Sequence, residues 1–318
     1  MTQGLARFLR LRHLALVQAL AQHGTMHQAA RVLNMTQSTA SKMLKDLEDI
    51  MGAPLFFRDP RGMRCTDLGR FALLNAEDIL NRMDRFAEEF ELRKQGGYGL
   101  LSLGAIMGAA PDLVAKAVAT LKHHRPLLSI RMLGETSDNI LYMLERGEID
   151  LAVGRFATNR QRTLFSFEPL ADEAMVLAVR AGHPLSTAAD QAPDLAELVQ
   201  WPWILQPKAT PTRGFLETVL AERNLEEPTN CVESVSIFAI LHLLQTSDAL
   251  ALLPYSVVRD HLHMGLLASL PNPIGQSIPE FGILLRRNEP LSEVAAEFRD
   301  ILRRVSDSQE IATAPGSR

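Results

Sequence analysis

The chain has 318 residues, of which 47% are hydrophobic and 22% are charged. This composition is that of a globular protein with two ordinary domains or three small ones, and it excludes a disordered chain, a collagen-like rod and a coiled-coil rod. The two cysteines, Cys65 and Cys231, are too few for a disulfide framework or a four-ligand zinc site, and they favour a reduced, intracellular protein.

Two stretches without formal charge, His13–Ala30 and His261–Pro279, are the longest in the chain. Polar residues interrupt the first and prolines break the second, so neither predicts a membrane span. Arg7, Arg10 and Arg12 precede an apolar run, as in a signal peptide, but the run continues into polar sequence without a credible cleavage site. We therefore expect a cytoplasmic protein with no membrane partner.

The net charge of −4 is distributed unevenly along the chain. Residues 1–66 hold nine lysines and arginines against four acidic residues, a balance of +5, so the rest of the chain carries −9. A small basic segment joined to a larger acidic body is typical of a protein in which one domain binds a polyanion. The asymmetry alone does not identify a function.

The first 66 residues predict three short helices followed by a hairpin. Gly24 ends the first helix, and the sequence 25–28, Thr-Met-His-Gln, has the form of a capping box that begins the second. Thr36 can cap a third helix that runs to about Ile50. The second and third helices are separated by a tight turn.

The third predicted helix has an apolar face and a polar face. The apolar face holds Ala40, Met43, Leu44 and Leu47, and the polar face holds Gln37, Ser38, Ser41, Lys42 and Lys45. Two helices joined by a tight turn, with such a polar face on the second, are typical of a helix-turn-helix. Glutamine can read adenine edges in a major groove, and serine and lysine can contact bases or phosphates. Taken alone, the same face also fits a solvated helix surface.

The segment after the third helix predicts a β-hairpin. Leu55–Phe57 and the residues around Met63 have the character of two strands joined by a glycine turn, and three arginines cluster at the tip: Arg58, Arg61 and Arg64. A basic hairpin beside a helix-turn-helix is a wing, which can lie along a DNA backbone or enter a minor groove.

A long helix is predicted next, from Asp67 to about Lys94, with Thr66 as its cap. Such a helix is about 40 Å long. A helix of this length after a small domain usually packs against a copy of itself. Gln95–Gly99, which holds three glycines, is predicted to be a hinge.

Beyond the hinge, short apolar strands alternate with helices. The first three strands are Leu100–Ile106, Leu128–Leu133 and Leu151–Gly154, and the last helix is Leu291–Arg304. This alternation predicts an α/β domain built on open parallel sheets with helices on both faces. The polar end of the chain, residues 305–318, is expected to be a flexible tail.

A set of motifs resembles the LysR-type bacterial transcriptional regulators over nearly the whole chain. They are Ala29–Leu33, Thr36–Lys42, Leu47–Glu48, Gly52–Phe56, Arg58–Gly62 and Thr66–Gly69, followed in the second half by Gly147–Gly154 and Gly182–Leu185. The N-terminal motifs agree with the family in both spacing and residue type. Val179–Leu185 and Thr246–Ala249 are similar to the relatives that regulate sugar uptake or protocatechuate catabolism.

The resemblance implies a winged helix-turn-helix DNA-binding domain in residues 1–66, a dimerising linker helix in 67–95 and an effector-binding domain in 98–304. The effector domain is expected to fold like a type II periplasmic binding protein, with lobe 1 in about 98–167 and 279–304 and lobe 2 in about 168–278. Relatives are typically homotetramers, built as dimers of dimers, that bind and bend double-stranded DNA and act on RNA polymerase. Their activity is modulated by a small effector, here an organic acid, an aromatic catabolite or a sugar.

Four segments are expected to line the effector cleft by this resemblance. They are Met107, Gly108 and Ala109 after the first strand, Thr136 and Ser137 after the second, Gln206 and Lys208 in lobe 2, and Ser234 with Phe238. The hydroxyls favour a polyoxygenated ligand, and Lys208 is the one formal cation in these segments. The family often carries threonine or serine where this chain has Gly108, so backbone N–H groups are the expected donors there. Thr136 and Ser137 also fit helix caps, and Phe238 fits a core position.

Two other protein classes are weaker alternatives. An enzyme would need a catalytic motif, but the sequence has no Gly-x-Ser-x-Gly elbow, no phosphate-binding loop ending in Gly-Lys-Ser/Thr and no His-Glu-x-x-His. A transport binding protein would share the effector-domain fold but would have no winged helix. We therefore expect no catalytic residue, metal or cofactor. A ligand-binding protein with only non-specific DNA affinity is the remaining alternative.

Overall fold

The computed structural model describes residues 8–59, 62–156, 158, 160–188, 193–208, 210–275, 277–287 and 289–313. They form two compact units. Unit 1 consists of the chain up to Gly99 together with Glu145–Ile149, and unit 2 consists of Leu100–Leu144 and the chain from Asp150 onward. Within these described ranges, no helix is long and apolar enough to cross a membrane.

Unit 1 begins with the three predicted helices, α1 (Leu11–His23), α2 (Met26–Val32) and α3 (Gln37–Met51). Thr25 and Thr36 cap α2 and α3, because each side-chain oxygen accepts a hydrogen bond from the backbone N–H three residues on. The apolar faces of the three helices pack together into the core of unit 1. The predicted helices and their caps are confirmed.

The predicted wing is present as an antiparallel hairpin of β1 (Phe56–Asp59) and β2 (Gly62–Cys65). Its position is set by the turn between α1 and α2, since the backbone N–H of Met63 donates to the carbonyl oxygen of Gly24 at 2.6 Å. Gly62 has a φ of 134° and approaches the same carbonyl so closely that a Cβ would collide with it. Both the backbone conformation and this close approach require glycine at 62.

The long helix α4 (Asp67–Lys94) has the predicted bounds. Its cap ties it to the wing, since Thr66 Oγ1 accepts from the backbone N–H of Gly69 at 2.9 Å and donates to the carbonyl of Pro54 at 2.9 Å. Gly69 lies directly against the Leu55 carbonyl, and a Cβ at 69 would collide with that oxygen. The first turn of α4 is therefore held against the strand that begins the wing.

A buried ion pair joins α4 to the segment Glu145–Ile149 within unit 1. Arg146 Nη2 lies 2.5 Å from Glu77 Oε1; the Glu77 side chain is buried and the Arg146 side chain is largely buried. Asn81 Nδ2 donates to the backbone carbonyl of Arg146 at 2.8 Å. Burial raises the pKa of Glu77, and the positive charge of Arg146 opposes that rise.

Unit 2 is an α/β structure. Its strands are β3 (Leu100–Ala105), β4 (Ser129–Gly134), β5 (Leu151–Gly154), β6 (Phe165–Arg180), β7 (Trp203–Leu205), β8 (Cys231–Glu233), β9 (Ala251–Pro254), β10 (Leu267–Leu270) and β11 (Ser277–Arg286). Its longer helices are α5 (Ala115–His124), α6 (Ser137–Glu145), α7 (Pro211–Glu222), α8 (Ile237–Thr246), α9 (Tyr255–His263) and α10 (Glu293–Thr313). A π-helical turn, Ala110–Val114, precedes α5.

The prediction of open parallel sheets is wrong for part of unit 2. β3 pairs in parallel with β4 and β5, and β7 pairs in parallel with β8, but β6 and β11 run antiparallel to their neighbours. The 16 residues of β6 extend through both lobes. The first part of β6 pairs with β11 and the second part with β9 and β10.

The resemblance implies a crossover at Phe165–Pro169, and the apolar pattern predicts a separate strand at Ala174–Val179. In the structure the two segments belong to one continuous strand, β6, so the separate strand is wrong. The two acids between these segments, Asp172 and Glu173, have the character of a loop. The strand nevertheless continues because Glu173 is buried in an ion pair rather than solvated. The predicted lobe boundaries near 167 and 279 therefore fall inside β6 and β11.

The prediction of a flexible tail from residue 305 is wrong for residues 305–313, because α10 continues to Thr313. Ser306 is buried, and its Oγ donates to the backbone carbonyl of Leu170 at 2.6 Å. One face of the same helix places Phe298 and Leu302 in the core of unit 2. Asp307 and Ser308, which are part of the polar sequence that predicts a tail, lie on the exposed face of this amphipathic helix.

Candidate functional site

The predicted DNA-reading face of α3 is available at the surface of unit 1. Gln37, Ser38, Lys42 and Lys45 are exposed, and Ser41 is half-buried. The opposite face is buried in the core through Ala40, Leu44 and Leu47. Short polar side chains with two cations on one side of a helix suit a major groove, where they reach base edges and phosphates.

Glu48 near the end of α3 has a structural role that the sequence did not reveal. Its Oε1 accepts hydrogen bonds from the backbone N–H groups of Leu55 and Phe56, at 2.8 and 3.3 Å. The carboxylate therefore holds the start of β1 against α3. The wing and α3 are positioned together by this contact.

The structure describes the positions of two of the three wing arginines, Arg58 and Arg64. Arg64 lies on β2 opposite Phe57 and is exposed. Arg58 lies on β1 opposite Met63. Arg61 lies outside the described residues, so the contact of the wing tip with DNA stays a prediction.

A cavity of about 440 Å³ lies between the lobes of unit 2. It is at the carboxyl ends of β3, β4 and β7, and its wall includes the first residues of three helices: Ser137 of α6, Pro211 of α7 and Ile237 of α8. Helix N-termini present backbone N–H groups without helical partners, which favour anionic or oxygen-rich ligands. The cleft therefore lies at the edge of the sheet where the sequence predicts it.

Five of the nine predicted effector residues line this cavity: Met107, Gly108, Thr136, Ser137 and Gln206. Two of them are fixed by side-chain hydrogen bonds. The carbonyl of Gly108 accepts from Ser256 Oγ at 2.7 Å, and Ser137 Oγ accepts from the backbone N–H of Arg155 at 3.4 Å. Ser256 is on α9 in lobe 2, so its bond to Gly108 also joins the lobes at one side of the cavity.

The other four predicted residues are absent from the described cavity wall. Lys208 is 69% exposed and forms an ion pair with Glu227 at 3.6 Å. Phe238 is 82% exposed, and Ala109 is fully buried. Ser234 Oγ accepts a hydrogen bond from the backbone two residues on. Their role in effector binding stays a prediction that this geometry does not favour.

The cavity wall contains a buried ion pair that is not among the residues predicted from the sequence. Arg155 Nη2 lies 3.0 Å from Glu173 Oε2, and the two side chains are 9% and 6% exposed. Arg155 follows β5 directly, so the rule that places ligand contacts after parallel strands contained a signal for it. Glu173 lies inside β6, where no local pattern marks it. Within the described wall, Arg155 is the positively charged residue, a role that the sequence assigned to Lys208.

Burial dominates the electrostatics of this pair. Loss of water raises the pKa of Glu173, and the positive charge of Arg155 opposes that rise. Loss of water also lowers the pKa of Arg155, against the attraction of Glu173. The guanidinium Cζ lies 5.4 Å from the centre of the Phe281 ring, which adds a cation–π contact.

Two family profiles match the chain. "Bacterial regulatory helix-turn-helix protein, lysR family" matches residues 11–70, and "LysR substrate binding domain" matches residues 94–307. The chain is a LysR-type transcriptional regulator. The regulator is therefore a DNA-binding protein with an effector-binding domain, and it belongs to a regulatory family rather than to a family of enzymes.

The regulator is 33% identical over 241 residues to HTH-type transcriptional regulator GbpR of Azospirillum brasilense, covering 76% of this chain and 70% of that relative. Two solved structures show the fold. Full-length CbnR complexed with its target DNA has a TM-score of 0.59 at 19% identity, covering 93% of this chain and 99% of CbnR. The effector binding domain of QuiR in complex with shikimate has a TM-score of 0.55 at 18% identity, covering 67% and 99%.

Proposed function

We propose that the regulator binds a dyad-symmetric DNA site through α3 and the wing, and that a small molecule in the cleft changes this binding to control a catabolic or uptake operon. The observation that carries the proposal is the exposed polar face of α3 opposite a fully buried apolar face. The bound DNA of the CbnR structure, which has the same fold, supports it. A chromosomal target places the regulator in the cytoplasm.

Each DNA-facing residue has a role that follows from its chemistry. Gln37 at the start of α3 reads a base edge, because its amide can both donate to and accept from adenine. Lys42 and Lys45 contact phosphates, and Ser38 and Ser41 approach bases or the backbone through short side chains. The remaining contacts come from the wing arginines Arg58, Arg61 and Arg64, which follow the DNA backbone.

A second copy of the chain is the partner that α4 fits. Six large apolar side chains on this helix are exposed: Leu68, Phe71, Ile79, Met83, Phe86 and Phe90. The last four recur every three or four residues, which is the spacing of a helix–helix seam. The regulator therefore forms a homodimer through α4, which places two copies of α3 on a dyad-symmetric site, and two dimers form the homotetramer that acts on RNA polymerase.

The effector acts by linkage between the cleft and the DNA-binding surface. A ligand shifts the regulator between states only if it binds one state more tightly than the other. A coupling of about 1–3 kcal/mol changes DNA affinity by roughly 5–150-fold. The organic acids, aromatic catabolites and sugars expected from the sequence are all of a size that a cavity of about 440 Å³ holds.

The test of this function is retention of sheared genomic DNA by the purified full-length regulator, followed by sequencing of the retained fragments. A few sharp, dyad-symmetric sites beside a catabolic or transport operon are expected. Diffuse retention that disappears at modest salt would contradict specific regulation. That result would favour the alternative of a ligand-binding protein with non-specific DNA affinity.

Replacement of Lys42 by alanine is expected to weaken DNA binding at every sequence. One lost phosphate contact lowers the slope of log K against log salt concentration by about one unit. The measurement is a salt titration of binding to a retained site. Lys116→Ala is the matched control, because Lys116 is an exposed lysine on α5 in unit 2. Equal slopes for Lys42→Ala and the wild type would remove Lys42 from the interface.

Replacement of Gln37 by alanine is expected to change which bases are preferred rather than the salt dependence. A lost base contact costs about 1–3 kcal/mol of discrimination at one base pair. The measurement compares binding of a retained site with a set of its single-base variants. Gln95→Ala, beyond the end of α4, is the control. An unchanged preference in Gln37→Ala would make Gln37 a positioning residue.

A further inference from the structure

Glu173 has one carboxylate oxygen that is bonded and one that is not. Oε2 lies 3.0 Å from Arg155, whereas Oε1 receives no hydrogen bond from any described residue. The side chain is 94% buried, as the complement of its exposed fraction of 6%. Oε1 is itself shielded and lies beside the cavity rather than open to it. A buried acceptor without a donor is costly, so an oxygen of this kind points to a donor that the ligand supplies when the carboxylate turns.

The free oxygen lies where a side chain at position 108 would begin. A Cβ built on Gly108 would overlap Glu173 Oε1, and both residues line the cavity. Glycine at 108 is therefore what allows the carboxylate to lie in this part of the wall. Related proteins often carry threonine or serine at the position of Gly108. In this chain the carboxylate of Glu173, from β6, occupies the space that such a side chain would take.

The rest of the described wall is largely apolar and carries a few hydroxyl groups. Four hydroxyl side chains line the cavity, Thr136, Ser137, Thr210 and Thr212. Arg155 balances the charge of Glu173, so the pair adds no net charge to the wall. Glu135 is the other formal charge in the described lining, and it is exposed. A largely apolar wall that carries hydroxyls, a carboxylate acceptor and no unbalanced cation suits a neutral ligand with hydroxyl groups better than a ligand carboxylate.

We infer that Glu173 is the specificity-determining acceptor of the effector cleft, and that it selects a neutral, hydroxyl-rich ligand of the sugar or polyol class. The inference rests on the proposed function of the cleft as the effector site. A ligand hydroxyl donates to Oε1, which turns toward the cavity by rotation of the carboxylate about its soft terminal torsion. A ligand carboxylate at the same place would meet the negative end of the pair.

The test is a binding panel on the full-length regulator. Neutral aldoses, alditols and cyclitols are compared with the matching aldonic and uronic acids, with shikimate and with amino sugars. The readout is the unfolding temperature of unit 2 by tryptophan fluorescence, because both tryptophans, Trp201 and Trp203, are in that unit. We expect a neutral compound to raise this temperature more than any acid or amine does.

Two variants assign the selectivity to Glu173. Gly108→Ala pushes the carboxylate away, and the apparent Kd of the selected neutral compound is expected to rise about tenfold or more, as for loss of a hydrogen bond to a charged group. Gly214→Ala is the matched control, because Gly214 is in the same unit but outside the described cavity wall, and a Cβ there meets nothing within 4 Å. Glu173→Gln, which keeps the shape of the side chain, is expected to weaken the same compound.

The inference is overturned if no neutral compound in the panel binds, if acids or amines bind best, or if Gly108→Ala and Gly214→Ala have equal effects. Retention of genomic sites by the same preparation separates this failure from that of the proposed function. If the regulator retains sharp genomic sites but binds no neutral compound, only the role inferred for Glu173 is refuted. Loss of sharp sites would refute the regulator's proposed role at an operon.

Discussion

Replacement of Arg155 by methionine is expected to lower the free energy of unfolding of unit 2 by about 3–5 kcal/mol at mildly alkaline pH, as for a buried charge that has lost its partner. Glu173 would remain charged and buried, with its nearest cation removed. Methionine keeps much of the apolar length of the side chain, so packing changes less than charge. Urea unfolding followed by tryptophan fluorescence measures the loss, since both tryptophans are in unit 2.

The same variant is expected to recover stability as the pH is lowered. Burial already raises the pKa of Glu173, and removal of Arg155 raises it further. Between the ordinary pKa of glutamate and this raised value, the folded state binds more protons than the unfolded state. Stability therefore falls as pH rises through that window and returns as pH falls through it.

The double variant Arg155→Met with Glu173→Gln is the control for this prediction. With no buried charge left, it is expected to regain most of the lost stability and to lose the pH dependence. If Arg155→Met is as stable as the wild type at every pH, the ion pair between Arg155 and Glu173 does not stabilise the folded state. If the double variant is no more stable than Arg155→Met, the lost stability comes from packing rather than from charge.

Replacement of Gly69 by alanine is expected to destabilise unit 1 by about 1–3 kcal/mol through overpacking. The new methyl group would collide with the carbonyl of Leu55, a backbone atom that cannot turn aside as a side chain does. The first turn of α4 would have to move away from the wing, and DNA binding should weaken with it. Hydrogen exchange of the α1–α4 amides in the full-length chain measures the change.

Gly214→Ala is the matched control, because Gly214 also lies in a helix, α7, and a Cβ there meets nothing within 4 Å. Alanine is expected to leave its unit unchanged or to stabilise it by up to about 1 kcal/mol through helix propensity. The tryptophan-monitored transition of Gly69→Ala should match the wild type, since the collision is in unit 1. Equal hydrogen exchange in Gly69→Ala and the wild type would contradict the clash.

The DNA-binding half of the regulator was predictable because its signals are local. Thr25, Thr36 and Thr66 each cap a helix through a backbone N–H three residues away. Apolar spacing along α3 marks the buried face, and glycine turns mark the ends of elements. All of these signals lie within a few residues of the structure that they predict, so the sequence contains them directly.

The sequence predicted where the cleft lies, but only some of the residues that line it. The resemblance to the family predicts Met107 and Thr136 in the wall, and both line it, because they follow parallel strands whose ends lie at the same edge of the sheet. The same resemblance predicts Lys208 as the cation of the cleft, yet its side chain forms an ion pair with Glu227 instead. Which way a surface side chain turns depends on neighbours that are distant in sequence.

By itself, therefore, the sequence determined the family, the winged helix-turn-helix, the long helix α4 and the edge of the sheet that holds the cleft. Only the tertiary structure decided that β6 is one strand through both lobes, that α10 continues to Thr313 and that Arg155 and Glu173 form a buried ion pair in the wall. The physical reason is burial. A carboxylate inside a strand is stable only beside a cation that folding brings to it, and no local pattern in the chain specifies that partner.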